Sequence, residues 1–186
     1  MNTIGIMQGR LSKPVDGHIQ AFPLDNWREE FSLAKEAKLH CIEWIYEADT
    51  EKINPLLTNE GIVEIDRLTE CSGVAVWSVC ADFYITNRLV SKLGNPNLAQ
   101  IKHLKWLIKR VHLLNARHIV LPFVDASALK SPKEIKGLIN VLKSVLPDVE
   151  QTGIELHLET DLKPTDLVTI LKQMAHPLIR ANYDTG

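Results

Sequence analysis

What the chain lacks narrows its function first. No GxGxxG and no GxxxxGK[ST] follows any candidate strand, so nothing in the 186 residues points to a dinucleotide or nucleotide-phosphate loop. Cysteine is scarce: Cys41, Cys71 and Cys80 are odd in number and match neither a CxxC pair nor a zinc knuckle. They read as reduced thiols of a cytoplasmic protein. No apolar run approaches the ~20 residues of a membrane-spanning helix. The opening "MNTIGIMQGRL" lacks the basic and apolar regions of a signal peptide. Charge of one sign is also missing. The formal net charge is −2, without the basic excess that would implicate nucleic acid or the Lys/Arg cluster that would implicate a membrane surface.

What remains is ordinary globular material, 45% hydrophobic and 24% charged, enough for a single domain over residues 1–186. Short β-rich runs alternate with longer helical patterns. Strands are expected near 3–9, 40–46, 74–83, 117–123, 154–160 and 177–186. Helices lie between them, the first opening at an Asp25 N-cap, with apolar residues recurring at helical spacing. Gly73 and Gly153 read as helix-ending glycines, and Ser131-Pro132 reads as a cap followed by a first-turn proline. The order βαβαβαβαβαβ implies a parallel sheet with right-handed crossovers. It fits either an open doubly wound sheet or an incomplete (β/α)₈ barrel.

Side-chain alternation favours the barrel. Ile154, Leu156 and Leu158 share one face of the fifth strand, and Glu155, His157 and Glu159 share the other. In the sixth strand, Arg180, Asn182 and Asp184 oppose Ile179, Ala181 and Tyr183. Helices on both sides of a sheet would demand apolar residues on both faces, whereas a barrel accepts a polar lumen. Polar lumen residues need partners, and Glu155 with Arg180 is the obvious pair.

Sites of parallel α/β folds gather at the carboxyl ends of the strands. Those ends carry Arg10, Glu43 with Trp44, Asp82, Asp125, Glu159 and Asp184. Glu159 and Asp184 fall on the polar face of adjacent strands. Two carboxylates that close repel unless a proton or cation lies between them, and oxygen donors suit Mg²⁺ or Mn²⁺.

"GIMQGRLS", "LHLET" and "NYDTG" together resemble the xylose isomerase-like TIM-barrel superfamily, in particular its sugar phosphate isomerase and epimerase branch. The resemblance runs over the whole chain as six of eight βα units. It implies an α/β fold of (β/α)₈ type ending after strand six, and isomerisation or epimerisation of a sugar or sugar phosphate. It also implies one divalent metal ion (Mn²⁺, Mg²⁺, Co²⁺ or Zn²⁺) held by Glu159 and Asp184, with a His and a Glu from strands seven and eight completing the set. Glu159 would then be one of two carboxylates trading a proton next to a carbonyl through an enediolate. Arg10, Glu43, Asp82 and Trp44 would bind substrate, Trp44 as a pocket wall. His157, two residues below the rim, is expected to be a hydrogen-bonded lumen histidine. The expected partner is a small-molecule sugar, with no nucleic acid and no membrane.

Two other readings remain. An endonuclease IV-like enzyme would need histidines at further strand ends, and "EWIYE" and "CADF" carry none. A non-catalytic barrel fragment is the other, because such a barrel typically needs about 250 residues. Open edges on strands one and six would then invite pairing with another chain, a homo-oligomer being one outcome. On that count the 186 residues alone should bind Mn²⁺ weakly and turn over little.

Overall fold

A computed structural model describes residues 3–14, 17 and 20–184; Thr185 and Gly186 of "NYDTG" lie outside them. Six strands form one parallel sheet in the order β1 to β6: β1 (Gly5–Met7), β2 (Cys41–Ile45), β3 (Ala75–Cys80), β4 (His118–Phe123), β5 (Glu155–Thr160) and β6 (Ile179–Ala181). Between them run α1 (Glu29–Glu36), α2 (Asn59–Ser72), the single turn α3 (Phe83–Thr86), α4 (Leu98–Leu113), α5 (Pro132–Thr152) and α6 (Pro164–Met174). Strand order equal to sequence order is the barrel pattern, since a doubly wound sheet reverses direction at a switch point. Among the described residues β1 and β6 each pair on one side only. No described helix is long and apolar enough to cross a membrane.

Local chemistry sets the helix limits. Ser131 Oγ accepts the Glu134 amide, Pro132 opens α5, and Gly153 closes it at φ 73°. Gly73 closes α2 at φ 78°. The start of α1 departs from expectation. Residues 24–28 form turns, and the helix begins at Glu29 instead of following Asp25. The amides of Asn26 and Trp27 go to the Pro23 carbonyl, so their bonds are already made before the helix starts.

The core lies between the sheet and the helices. Ile154, Leu156 and Leu158 of the fifth βα unit are fully buried there, as their alternation requires. Trp44 belongs to this layer too. It has no exposed surface, packs on Phe22 and Trp27 with ring centroids 5.5 and 5.4 Å away, and donates its indole N–H to Asn54 Oδ1 at 3.1 Å. The expectation of a pocket wall is therefore corrected: Trp44 shares the face of buried Ile42, and its ring packs on Phe22 and Trp27.

The lumen face holds the polar residues. Arg180 Nε lies 3.1 Å from Glu155 Oε2, the pair expected from the sequence. His157 Nε2 is 2.7 Å from the same oxygen, and its ring stacks on His118 at 3.9 Å. Burial, with His157 next in effect, pushes the His118 imidazole from 6.5 down to about 4. The folded state then binds fewer protons than the unfolded chain between those values, so this group costs stability as pH falls from about 6.5 to about 4. His118→Phe should flatten that part of a stability-against-pH curve measured by urea unfolding. Trp44→Ala should cost about 3–5 kcal/mol at neutral pH in the same measurement, the usual loss for a fully buried aromatic.

Candidate active site

The carboxyl ends of the strands enclose a cleft of about 280 Å³. It is lined by Met7, Arg10 and Gln20 from β1 and its loop, by Glu43 of β2, by Glu159 of β5, and by the segment Asn182–Asp184 after β6. The structure thus brings together four of the residues expected from sequence: Arg10, Glu43, Glu159 and Asp184. Asp82 stands behind them. Its Oδ2 accepts Gln20 Nε2 at 3.0 Å, and its Oδ1 accepts the Cys80 thiol at 3.2 Å. Asp125 opens onto a different cleft with Arg88 and Lys130.

The sheet register explains this assembly. His157 pairs with Arg180 and Leu158 with Ala181, so Asn182 follows opposite Glu159, and Asn182 Nδ2 approaches Glu159 Oε2 at 3.4 Å. Asp184 comes two residues later on the same side. Glu43 is placed by an irregularity. Between β2 and β3 the pairing jumps from Ile42–Val76 to Glu43–Ser78, so β3 carries one extra residue, Trp77. The bulge turns Ser78 and Cys80 into the lumen, and Ser78 Oγ donates to Glu43 Oε2 at 2.6 Å. The bulged Trp77 ring is covered by the Arg117 guanidinium at 3.9 Å.

Crowded carboxylates set the electrostatics. Burial raises the Glu159 pKa above the usual carboxylate range, and the charges of Asp184, Asp82 and Glu43 raise it further. Burial also raises Glu43, with Asp82 and Asp184 adding to the effect and the Ser78 hydroxyl opposing it. Cys80 is pushed well up, first by burial and then by Asp82 and Glu43, so it is a neutral thiol donor. For both carboxyls ionisation is made costlier, a cost that a nearby cation would offset.

Glu30 was not legible as part of this region. It is 1% exposed, and its carboxylate accepts the amides of Gly9 (2.9 Å to each oxygen), Leu11 (3.3 Å) and Ser12 (3.2 Å), with the Ser12 hydroxyl at 2.9 Å. These bonds shape the β1–α1 loop that carries Arg10. Gly9 sits at φ 82°, where a Cβ would meet the Ala21 carbonyl oxygen at 2.6 Å, so the loop needs glycine there. In the sequence Glu30 looks like any acid in a first helical turn. Glu47, on the next loop, accepts the Phe22 amide at 2.9 Å and so ties the two loops together.

No family model and no curated protein matches the sequence. Solved structures do match in fold. A xylose isomerase domain protein from Planctomyces limnophilus superposes with a TM-score of 0.67 at 18% identity, over 97% of this chain and 62% of that one. The fold is that of the xylose isomerase-like TIM barrels. A protein of this type from Mycobacterium smegmatis, solved in complex with magnesium, gives 0.69 at 17% identity, over 99% of this chain and 65% of that one. D-Psicose 3-epimerase from Clostridium cellulolyticum H10, solved with D-tagatose, gives 0.68 at 14% identity, over 97% and 62%. The chain spans just under two thirds of the length of these structures.

A divalent cation can be tested against the donors present. Glu159 and Asp184 offer hard oxygen ligands, and the raised Glu159 pKa records the cost of ionising it in a half-buried place beside Asp184. Among the described residues no group of three or more Asp, Glu, His or Cys side chains could hold a metal ion. Were a cation to bind here, Glu159 and Asp184 would be its protein ligands, and the rest of its shell would come from other sources, as Mg²⁺ commonly takes it from water and substrate.

A raised carboxyl pKa lends stability below the unfolded value, and this is lost as pH rises through the folded value. Glu159→Gln should therefore raise Tm at pH 7 relative to the parent chain and leave Tm unchanged at pH 3. Saturating Mg²⁺ should shrink the gain at pH 7.

Proposed function

We propose that the chain serves a divalent-cation-dependent isomerase or epimerase acting on a sugar, by proton transfer at the carbon next to a carbonyl. The observation that carries this reading is the pairing of Glu159 and Asp184 at the carboxyl ends of β5 and β6, inside a cleft on the face where barrels of this fold place their chemistry. The likeness in fold to an epimerase solved with D-tagatose supports it.

Glu159 is the group suited to move the proton. A half-buried carboxyl with a raised pKa is a stronger base when ionised than a solvated one. It takes the proton from the carbon, and the C–H electrons pass into an enediolate; returning the proton to the neighbouring carbon isomerises the sugar, while epimerisation needs a second acid to deliver a proton to the opposite face of the same carbon. Glu159 and Asp184 would hold the cation, Mn²⁺, Mg²⁺, Co²⁺ or Zn²⁺, whose charge stabilises the developing oxyanion. Asn182 Nδ2 lies 3.4 Å from Glu159 Oε2 and helps to orient it. Glu43, steadied by Ser78, and Asp82, steadied by Gln20 and Cys80, accept substrate hydroxyls. Arg10 donates to a substrate oxygen at the rim.

The test is exchange of substrate C–H for solvent deuterium, read by proton NMR with D-fructose and D-tagatose in the presence of Mn²⁺. This readout detects proton abstraction even where net turnover is small. Cation-dependent exchange is expected, reduced by about 10²–10⁴ in Glu159→Gln, the usual worth of a general base. Exchange that survives Glu159→Gln unchanged removes the assignment.

A further inference from the structure

We infer that Glu30, which does not itself line the cleft, is a positioning residue for it: its buried carboxylate holds the β1–α1 loop so that Arg10 stands at the rim to meet a substrate oxygen. The inference rests on the sugar isomerase reading above and concerns its binding step.

Arg10 shows why such a residue is needed. It lines the cleft, is exposed, and has no hydrogen-bond or ion-pair partner among the described residues. With no partner to fix the guanidinium, its place is set by its backbone. That backbone is gripped on both sides. Gly9 and Leu11 flank Arg10, and the amides of both donate to Glu30. The amide and hydroxyl of Ser12 donate to the same carboxylate. One carboxylate thus bends residues 9–12 around itself. Its charge is satisfied by neutral donors, as a group 1% exposed requires. Arg10 takes no part in that cradle, so its cation stays available to the cleft.

Glu30 can hold the loop because it is itself held. It lies in the first turn of α1, between Trp27 and Phe31 in sequence, and both of those are buried in the core. The loop has no slack on its other side. At Gly9 the Ala21 carbonyl oxygen already lies where a Cβ would be only 2.6 Å away. Nor can glutamine take over from Glu30. The Gly9 nitrogen is 2.9 Å from each carboxylate oxygen. Either orientation of a glutamine amide therefore sets its NH₂ group against the Gly9 N–H, donor facing donor.

The test compares the full chain with Glu30→Gln, Ser12→Ala, Arg10→Ala and the double variant Glu30→Gln/Arg10→Ala. Amide NMR without substrate reads the loop directly. In Glu30→Gln, hydrogen exchange at Gly9 and Leu11 should speed up about tenfold or more, the usual worth of bonds to a charged group. The heteronuclear NOE of the Arg10 amide should fall, and the Glu134 amide in the α5 cap should stay as it was. Ser12→Ala removes one donor alone. It should change the same signals in the same direction by less, and it decides the matter if Glu30→Gln does not fold. With Mn²⁺ and D-fructose, Glu30→Gln should weaken binding about three- to tenfold and leave the C–H exchange rate at saturation within about twofold. In the Arg10→Ala background the same substitution should cost about twofold or less in binding, because its effect passes through Arg10. A merely structural Glu30 would lower Tm without that dependence on Arg10. Unchanged amide exchange and NOE in Glu30→Gln, or a binding loss equally large without Arg10, overturns the inference. If D-fructose and D-tagatose both fail to bind the parent chain, the isomerase reading falls. The amide measurements then decide alone whether Glu30 holds Arg10.

Discussion

The parallel register of the sheet is the constraint on which everything else depends. Strands running one way, each beside its neighbour in sequence, deliver all their carboxyl ends to one face. That geometry brings residues far apart in the chain, from Arg10 to Asp184, into one cleft. It also concentrates negative charge, because three of the residues so delivered, Glu43, Glu159 and Asp184, are acidic, with Asp82 close by. The surrounding polar groups are arranged to bear that concentration. Ser78 donates to Glu43, Gln20 and Cys80 donate to Asp82, and Asn182 approaches Glu159. Each donor is neutral, so it steadies a carboxylate without cancelling its charge. The site stays acidic, which suits a cation and a hydroxylated ligand.

Scaffold and site are joined by loops that are themselves pinned. His103 of α4 has both ring nitrogens engaged, Nε2 with the Tyr46 hydroxyl at 3.0 Å and Nδ1 with the Tyr84 hydroxyl at 2.9 Å, and it stacks on Phe83 at 4.3 Å. Burial holds its pKa down, so it serves as a neutral donor and acceptor. Tyr46 follows β2, and Phe83 and Tyr84 follow Asp82 directly. Through this histidine the loops after the second and third strands are fastened to one helix. Arg110, a little further along α4, donates to the carbonyls of Leu56 and Thr58 and fastens the β2–α2 connection in the same way. The cleft is thus bordered by fixed walls on this side, which favours holding a carboxylate in one place over remodelling around a ligand.

Much of this was legible from the residues alone, for identifiable reasons. The alternation in "IELHLET" and "PLIRANYD" has a period of two and a strong contrast between apolar and charged side chains. It therefore gave the lumen face, the Glu155–Arg180 pair and the meeting of Glu159 with Asp184. The caps of α2 and α5 were readable because glycine, serine and proline act locally. Trp44 was misassigned for want of the same logic. Its two-residue spacing from Ile42 already put it on the helix side, and its place near a strand end is not sufficient to make a pocket wall. Glu30 was invisible because its partners are backbone amides, which every sequence possesses, and only the path of the chain shows which of them converge. The start of α1 was missed because turns at residues 24–28 take up bonds that a helix would otherwise use.

The bulge in β3 has a consequence for how this cleft is written into the chain. Side chains on a strand alternate, so in a regular ladder Trp77 would stand opposite Glu43 and every later residue would be one step out of phase. Because the bulge takes up Trp77 as an extra residue, Ser78 and Cys80 reach the carboxylates of Glu43 and Asp82, and Val79 lies in the core. Pair the same amino acids without the bulge, and Ser78 would stand opposite Trp44 and Val79 opposite Ile45, turning a hydroxyl and a thiol toward the helices. For this strand the polarity of the site is carried by where the ladder skips a residue as much as by which residues it holds.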